Sequence, residues 1–213
     1  MRDSKVSFDG QVVVITGAAR GIGAATARLV ASRGGKVFAL DIARDGLDAL
    51  QSELGLADNQ IKTMDLGSQE SVQGAISEIF ALTGRIDALI NTAGVVGPTN
   101  VKVEDVKWAD FESTVRINLF GTVWLTQAVI PFMKKAKYGR IAHVASIAGK
   151  EGNPGMTPYN VSKSGMIGFI KGVSKEIAPD GITINALAPA VIRTPMNADT
   201  SDETLKYMIS RIP

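Results

Sequence analysis

The sequence predicts a single α/β domain in which helices cover both faces of a doubly wound parallel sheet. Short strands rich in β-branched residues alternate with helical patterns along the chain, as in parallel sheets built from βαβ units. Several of these strands are apolar nearly throughout, which is typical of strands buried on both faces. The chain has 213 residues, so residues 1–213 are expected to form one domain with a sizeable core.

Six segments have the strand pattern, and they lie at 11–17, 36–41, 60–65, 86–94, 139–146 and 182–189. Helices are predicted from Gly21 to the Gly34–Gly35 pair, over about 44–54, from residue 68 onward, twice within about 104–136, and from Pro158 to about Ala178. Ser68 and Ser71 are candidate N-caps of the third helix. Ligands of such sheets bind where the strands end, so residues at strand ends are the first candidates for a site.

The composition excludes several classes of function. Hydrophobic residues make up 45% of the chain and charged residues 21%, as is ordinary for a soluble globular protein. The net charge is +2 and the basic residues are scattered, so no nucleic-acid partner is expected. There is no cysteine, which excludes disulfides and thiolate metal sites and fits a cytoplasmic location. The opening residues MRDSKVSFDGQ have no apolar signal core, and no apolar run could span a bilayer, so no membrane partner is expected.

A glycine-rich loop follows the first strand in the stretch TGAARGIG, which holds Gly17, Arg20, Gly21, Ile22 and Gly23. Glycines at a strand-to-helix turn let the backbone approach a pyrophosphate, which the helix N-terminus then stabilises. The spacing is G-x-x-x-G-x-G, which differs from the usual G-x-G-x-x-G of dinucleotide sites. The alternative is a plain turn, but a plain turn needs only one glycine. The loop therefore predicts a bound dinucleotide.

The second strand ends at Asp41, which bears on the choice between NAD and NADP. A carboxylate at this place accepts hydrogen bonds from the adenosine ribose and repels a 2′-phosphate, so NAD is the preferred cofactor. Arg20 and Arg44 argue for NADP, because a guanidinium can pair with that phosphate. Asp41 receives more weight, since a carboxylate beside a phosphate dianion is costly, and NADP stays a possible cofactor. The alternative for Asp41 is a helix or turn cap.

The third and fourth strands end in further candidate cofactor contacts. Asp65, followed by Leu66, could bond the adenine amino group or cap the next helix, and the sequence favours neither. Asn91, Ala93 and Gly94 lie in the stretch NTAG, where small residues would let the backbone touch the cofactor. The alternative for NTAG is a simple turn at the strand end.

Tyr159 and Lys163 lie one helical turn apart, just after Pro158, and therefore share a helix face. A phenol that acts near neutral pH needs its pKa lowered by about 3 from a reference near 10. A lysine ammonium favours the phenolate, and so does the positive nicotinamide of an oxidised cofactor. Tyr159 could then exchange a proton with an alcohol or ketone, with Ser146 bonded to the substrate oxygen. The alternative is an exposed helix pair.

These motifs together resemble the short-chain dehydrogenase/reductase (SDR) family of the classical type. The matching stretches are TGAARGIG, NTAG with Thr92 where asparagine is commoner, Asn118 in VRINLFGT, Ser146, and YNVSK from Tyr159 to Lys163. They occur in the family's order from about residue 8 to 211. The resemblance implies a Rossmann-like fold and hydride transfer between a nicotinamide cofactor and a secondary alcohol or ketone. It also implies that Lys163 holds the nicotinamide ribose and that Asn118 anchors a water linking Lys163 to solvent.

The sequence departs from the family at two places. Ala190 follows Pro189 where glycine is usual, in a loop expected to turn past the nicotinamide, with Ile192 against its face and Thr194 bonded to its carboxamide. The family also continues through another helix and a final strand, so a chain ending at Pro213 is expected to be C-terminally truncated. With a complete C-terminus, the resemblance implies a homotetramer or homodimer.

A stripe of glycines on the helix of Tyr159 predicts a close neighbour. Gly165, Gly168 and Gly172 fall on one side, and each glycine costs about 1 kcal/mol in a helix interior, so something should approach that side closely. In the family this helix packs on its own sheet and on a partner subunit. The alternative is burial within the chain.

The substrate is only weakly specified. The loop after Gly94, residues 149–156 and residues 193–211 are expected to line its pocket, and the polar residues there are Lys150, Glu151, Asn153 and Asn197. They favour a sugar, a polyol or a sugar acid, unless they are only solvated loop residues. Two rival functions are a dinucleotide-binding regulatory or scaffold protein and a nucleotide-sugar epimerase or dehydratase. The second needs a larger C-terminal substrate domain.

His143 is the only histidine, and it predicts no further chemistry. It lies in the same strand as Ser146 but three residues away, so the two side chains should point to opposite faces. There is also no G-x-S-x-G elbow for a serine hydrolase. Without a second histidine, a cysteine or clustered carboxylates, no metal site is expected. His143 is predicted to be a strand residue that faces a helix.

Overall fold

The protein was analysed as a computed structural model, which describes residues 6–195 together with Lys206 and Ile209. The described residues form a six-stranded parallel sheet in the order β3-β2-β1-β4-β5-β6. Its strands are β1 Val12–Thr16, β2 Lys36–Asp41, β3 Ile61–Thr63, β4 Ala88–Asn91, β5 Gly139–Val144 and β6 Ile182–Leu187. This order confirms the doubly wound sheet, and it reverses between β1 and β4, where such sheets bind ligands.

Seven helices of the described residues connect and cover the strands: α1 Gly21–Ser32, α2 Arg44–Leu54, α3 Gln69–Thr83, α4 Trp108–Val115, α5 Gly121–Ala136, α6 Ala148–Glu151 and α7 Thr157–Ile177. The predicted pair over 104–136 is interrupted by a π-helical turn at Arg116–Phe120. Ser68 caps α3 as predicted, since its hydroxyl accepts from the Ser71 amide at 3.2 Å. Ser71 is not a cap, because its own hydroxyl accepts from the Asp65 amide.

Two hydrophobic clusters form the core, one on each face of the sheet. Val12 and Val14 of β1 belong to the cluster with α3, α5 and α7, whereas Val13 and Ile15 belong to the cluster with α1 and α2. Successive residues of a strand point to opposite faces, so a strand between two helical layers needs apolar residues at nearly every position. This requirement explains the continuous apolar runs in the sequence.

The glycine stripe of α7 divides into two parts. A Cβ at Gly165 would lie 2.8 Å from Leu119 Cδ2, so the close neighbour predicted there belongs to the same chain. At Gly168 and Gly172 a Cβ would meet no atom of the described residues within 4 Å. The described part of the chain therefore does not supply the close neighbour predicted for these two glycines. They line an open groove between α5 and α7 instead.

Candidate active site

A cleft of about 230 Å³ opens at the carboxyl ends of β1 to β4. It is lined by Gly17, Arg20, Gly21, Ile22, Gly23, Asp41, Ile42, Met64, Asp65, Leu66, Thr92, Ala93, Gly94, Val95, Ile117, Thr194 and Pro195. Most of the predicted cofactor residues are in this set, although they come from five separate stretches of sequence. The exceptions are Asn91, Pro189 and Ile192, together with the Tyr159–Lys163 pair.

The three loop glycines have separate structural reasons. Gly17 and Gly21 have φ angles of +70° and +56°, in the left-handed region that favours glycine. A Cβ at Gly23 would overlap the Gly17 carbonyl oxygen and lie 2.6 Å from Thr92 Oγ1. No side chain of the described residues caps α1, whose first turn starts at Gly21. Its free amides can therefore bind a pyrophosphate in the cleft, and the residues present fit a dinucleotide.

Asp41 has the capping role that the sequence left open, and it also lies at the cleft. Its Oδ2 accepts from the Ala19 amide and its Oδ1 from the Ala43 amide, both at 3.0 Å, so it fastens the glycine loop to the end of β2. The carboxylate also lines the cleft. Arg44 instead pairs with Asp48 at 2.8 Å, whereas Arg20 lines the cleft.

Asp65 and Leu66 form the next part of the cleft wall. Asp65 Oδ1 accepts from the Gly67 amide at 2.8 Å and closes a local turn, and the cap of α3 is Ser68. The capping alternative for Asp65 is therefore wrong, and its carboxylate lies at the cleft. Leu66 is buried against Gly121, where an added Cβ would overlap it.

The Asn91 side chain lies beneath the cleft, so the cofactor contact predicted for the NTAG stretch can involve the backbone of Asn91 but not its side chain. Its Oδ1 accepts from Thr16 Oγ1 at 2.6 Å, and its Nδ2 donates to Thr122 Oγ1 at 3.1 Å. Thr92 takes the place at the cleft, where its hydroxyl donates to the Thr16 carbonyl at 2.7 Å. The side chains alternate at the end of β4, so only one of two neighbours can face the ligand.

The loop after β6 is placed partly as expected. The Pro189 carbonyl accepts from the Ile147 amide at 2.9 Å, which ties the loop to the start of α6 rather than to the cleft. Ile192 is 46% exposed and also lies off the cleft lining. Thr194 reaches the cleft, where its side chain would lie 3.5 Å from a Cβ on Gly21. Residues 196–205 lie outside the described residues, and Asn197 is among them.

Ser146, Tyr159 and Lys163 come together beside the cleft. Ser146 is close enough to the Tyr159 phenol to affect its pKa, and Lys163 Nζ lies 5.6 Å from the centre of the Tyr159 ring. Lys163 is buried, and its ammonium donates to the Val144 carbonyl at 2.8 Å. A phenol, a hydroxyl and an ammonium so placed can handle the proton of an alcohol or ketone.

The pKa values of this group differ from the sequence expectation. Burial raises the pKa of the Tyr159 phenol, and the nearby Ser146 hydroxyl lowers it only in part. Burial also lowers the pKa of Lys163 to about 8, because a desolvated ammonium is less stable. The expected lowering of the tyrosine pKa by Lys163 is therefore not observed in the chain itself, where desolvation is the larger effect.

Asn118 ties two parts of the site together from the π-helical turn. Its Oδ1 accepts from the Val95 amide at 2.9 Å, and its Nδ2 donates to the Val95 carbonyl at 2.8 Å and to Ser162 Oγ at 3.0 Å. Ser162 Oγ in turn donates to the Tyr159 carbonyl. Ser162 was missed by sequence reasoning, although it stands inside the quoted YNVSK stretch. π-Helical turns are rare and often occur at functional sites.

Gly149 was also missed, because its role depends on a tertiary contact. A Cβ at Gly149 would lie 2.7 Å from the Lys163 carbonyl carbon and 2.9 Å from Lys163 Cβ. The Gly149 carbonyl accepts from Ser164 Oγ at 2.7 Å. Helix α6 therefore rests directly on the turn of α7 that carries Lys163. In the sequence, the only indication of this role was that Gly149 lies three residues after Ser146.

His143 lies in β5 and faces α5, as predicted. Its ring is fully buried between Asn91 Nδ2 at 3.2 Å and Thr126 Oγ1 at 3.0 Å. Burial, with a smaller effect of the Lys163 charge, lowers the pKa of His143 to about 3. The imidazole is therefore neutral at physiological pH.

This buried histidine should make the folded state sensitive to acid. Between pH 6.5 and about 3 the unfolded chain binds a proton that folded His143 does not, so stability is complete above 6.5 and falls as pH drops. The expected loss is at most about 1.4 kcal/mol of unfolding free energy per pH unit. Urea unfolding at about pH 7 and pH 5 should show that the unfolding free energy of His143→Asn falls less between these two pH values than that of the wild type. Equal losses would contradict the assignment.

The described residues provide no group of three or more His, Asp or Glu side chains that could hold a metal ion. None of the helices in the described part of the chain has the length and apolar character needed to cross a membrane.

Comparison with known proteins identifies the family. The short chain dehydrogenase family profile matches residues 11–205. The chain is 36% identical to the 2-dehydro-3-deoxy-L-rhamnonate dehydrogenase (NAD(+)) of Sphingomonas sp. (strain SKA58), over 97% of this chain and 82% of the relative. It is 37% identical to the 3-oxoacyl-(acyl-carrier-protein) reductase FabG of Thermotoga maritima, over 97% and 84%.

A solved structure of NAD+-bound xylitol dehydrogenase superimposes with a TM-score of 0.79 at 34% identity, over 86% of this chain and 71% of that one. Together with the cleft and the Ser146, Tyr159 and Lys163 side chains beside it, these matches agree on one family. The chain belongs to the short-chain dehydrogenase/reductase family and is an oxidoreductase of the kind that interconverts CH–OH and keto groups with NAD(P).

Proposed function

We propose that this enzyme transfers hydride between NAD and a secondary alcohol or ketone, with Tyr159 as the general acid/base. The observation that carries the proposal is the meeting of Ser146, Tyr159 and Lys163 at the edge of a cleft whose lining residues fit a dinucleotide. Each group alone has an ordinary structural explanation. Their convergence with the glycine loop gives the specific pattern of an active site.

Each side chain has a distinct part in the proposed mechanism. A bound nicotinamide supplies the hydride acceptor or donor. Ser146 holds the substrate oxygen by a hydrogen bond, and Tyr159 accepts the hydroxyl proton during oxidation or donates it during reduction. The Lys163 ammonium, 5.6 Å from the centre of the Tyr159 ring, would favour the phenolate that oxidation needs, and we propose that it holds the nicotinamide ribose. Asn118 is proposed to anchor a water that connects Lys163 with solvent.

The preference for NAD over NADP rests on the charges around the adenosine end of the cleft. The Asp41 carboxylate lines the cleft and would repel a 2′-phosphate. Arg44, which could have neutralised it, pairs with Asp48. Arg20 remains as the basic side chain at the cleft that would favour NADP. NAD also appears in the names of the similar rhamnonate-type dehydrogenase and of the NAD+-bound xylitol dehydrogenase structure.

Calorimetric titration of the purified protein with NADH and NADPH tests this preference. NADH should bind at least about tenfold more tightly, because the carboxylate and the 2′-phosphate repel each other. Asp41→Ser should reduce the ratio, while the control Asp45→Ser, on the first turn of α2, should not. Tighter binding of NADPH by the wild type would contradict the proposal and assign the dominant role to Arg20.

We propose a sugar, polyol or sugar acid as the substrate class. Lys150 and Glu151 are exposed on α6 next to Ser146, and Asn153 follows them. Of the similar proteins, one is named for a sugar acid and one for a polyol. A third is named for a 3-oxoacyl group on acyl-carrier protein. Following NADH absorbance with a panel of polyols, sugar acids and a 3-oxoacyl thioester tests the class. Turnover of the thioester alone would overturn it.

The groove between α5 and α7 is the proposed contact with a second copy of the chain. Gly168 and Gly172 leave it open, and Ile130, Phe169 and Val173 give it apolar walls. Gly172→Leu should fill the groove and shift the mass measured by light scattering towards the monomer. Gly74→Leu, at an open position of α3, is the control. An unchanged mass would reject this surface as the contact.

A further inference from the structure

A line of buried hydrogen bonds runs from the sheet to the catalytic turn of α7. The side chains in it are each no more than 1% exposed, and we call them the buried network: Thr126, His143, Asn91, Thr122, Asn118 and Ser162. It ends at the Tyr159 carbonyl, which accepts from Ser162 at 2.8 Å. The proposed mechanism uses only one member of this network, Asn118.

The two threonines fix the direction of the bonds. Thr122 Oγ1 donates its single proton to the Asn118 carbonyl at 2.7 Å, so it can only accept from Asn91. Thr126 Oγ1 donates to the Thr122 carbonyl at 2.7 Å, so it can only accept from His143. The proton of the imidazole is therefore on Nε2.

The Asn91 amide completes the assignment. Its oxygen accepts from Thr16, and its two amide protons go to Thr122 Oγ1 and to His143 Nδ1. Nδ1 must therefore be the unprotonated nitrogen of a neutral imidazole. This tautomer follows from the bonding pattern of its neighbours, since the opposite tautomer would need both threonine hydroxyls to leave the carbonyls to which they donate.

We propose that His143 is a positioning residue, which holds the Asn91 amide in the one orientation that leaves Thr122 bonded to Asn118. If the amide turned over, its oxygen would face Thr122, and the threonine proton would turn towards that oxygen and leave the Asn118 carbonyl. The Nδ1 lone pair of His143 prevents this, because it would then oppose the amide oxygen.

The consequence reaches the catalytic turn through Asn118. That side chain holds the Val95 loop and Ser162, and Ser162 holds the Tyr159 main chain. The inference that His143 affects turnover rests on the proposed function of Tyr159. Misplacement of a catalytic group by about 1 Å can cost on the order of a hundredfold in rate.

The tautomer can be measured without any turnover. His143 is the only histidine, so ¹⁵N-histidine labelling gives one imidazole in an NMR spectrum. Long-range ¹H–¹⁵N correlation should show protonation on Nε2 alone, unchanged between about pH 8 and pH 5. A proton on Nδ1, or titration within that range, would overturn the proposal even if the proposed mechanism were correct.

Two amide variants then test the positioning role. The Oδ1 of His143→Asn occupies nearly the place of Nδ1 and can still accept from Asn91, whereas the amide of His143→Gln reaches towards Thr126 instead. We expect His143→Gln and His143→Phe to lower kcat by about ten- to a hundredfold. His143→Asn should keep kcat within about threefold of the wild type, and NADH affinity should stay nearly constant in all three.

A neighbouring core variant separates positioning from general destabilisation. Ile141→Val removes one methylene from the same strand and the same face as His143, and an isoleucine side chain has no polar atom that could take part in the hydrogen bonds of the buried network. Equal kcat in His143→Asn and His143→Gln, or a loss in His143→Phe no greater than in Ile141→Val, would overturn the proposal. Full turnover in Tyr159→Phe would contradict the proposed mechanism and not the tautomer of His143. The NMR result alone would then decide the role of His143.

Discussion

Replacing Tyr159 with phenylalanine is expected to lower kcat by about 10²- to 10⁴-fold, the usual contribution of a general acid/base. The substitution removes the phenolic hydroxyl near Ser146 and leaves the ring beside Lys163. Cofactor binding should survive, because the cleft is lined by other residues. Steady-state kinetics and NADH calorimetry on the same preparation measure both effects.

Tyr138→Phe is the matched control for this experiment. Tyr138 lies at the start of β5, where its hydroxyl contacts Gln11 and its ring stacks under Arg140, far from the cleft. It should leave kcat unchanged. Full activity in Tyr159→Phe would assign the proton transfer to another group, and loss of NADH binding would mean that the tyrosine is needed for the fold of the site rather than for chemistry.

The raised pKa of Tyr159 sharpens the meaning of this test. Burial favours the neutral phenol, which is the form needed to donate a proton to a ketone. Oxidation of an alcohol needs the phenolate, and the positive nicotinamide of an oxidised cofactor would favour it beside the Lys163 ammonium. The direction of the reaction and the charge of the cofactor are therefore linked at this tyrosine.

The Gly23→Ala variant is expected to lose NADH binding by at least about a hundredfold and to lower the unfolding free energy by about 1–3 kcal/mol. An added Cβ would overlap the Gly17 carbonyl oxygen and crowd Thr92 Oγ1 at 2.6 Å. The obstacle includes main chain, so the glycine loop must move as a whole. Calorimetry and thermal unfolding, with NADH and without it, measure the two losses.

Gly74→Ala provides the contrasting case for the same chemical change. Gly74 lies inside α3, and a Cβ there would meet no atom within 4 Å in the described structure. Alanine should therefore raise stability by up to about 1 kcal/mol and leave NADH binding unchanged. Normal cofactor affinity in Gly23→Ala would show that the loop does not approach the pyrophosphate as proposed.

Much of the fold was predictable because its signals are local. The apolar strands, the helix caps and the glycine loop each depend on a few neighbouring residues. The strand predicted at 86–94 shows the limit, since β4 ends at Asn91 and the following residues leave the sheet to line the cleft. The π-helical turn at Arg116–Phe120 was not predicted from the sequence. Its residue Asn118 bonds Val95 and Ser162, which are distant in the sequence, and local patterns do not indicate such contacts.

The candidate site divides in the same way. The residue types and their spacing were enough to select Gly17, Gly23, Asp41, Tyr159 and Lys163, since each motif is short and chemically distinctive. Spacing along the chain could not show that Asn91 turns away from the cleft or that Gly149 rests on Lys163. Both facts depend on which side chain faces which neighbour at the end of a strand or between two helices.

The amino-acid sequence alone was thus enough to predict the fold class and the family, and to select the candidate reactive side chains. Only the tertiary structure decided their environment: a tyrosine whose pKa burial raises, a lysine whose pKa burial lowers, and a neutral histidine bonded on both sides. The physical reason is that desolvation and hydrogen-bond direction depend on atoms brought together from distant parts of the chain, whereas helical and strand periodicity depends on near neighbours.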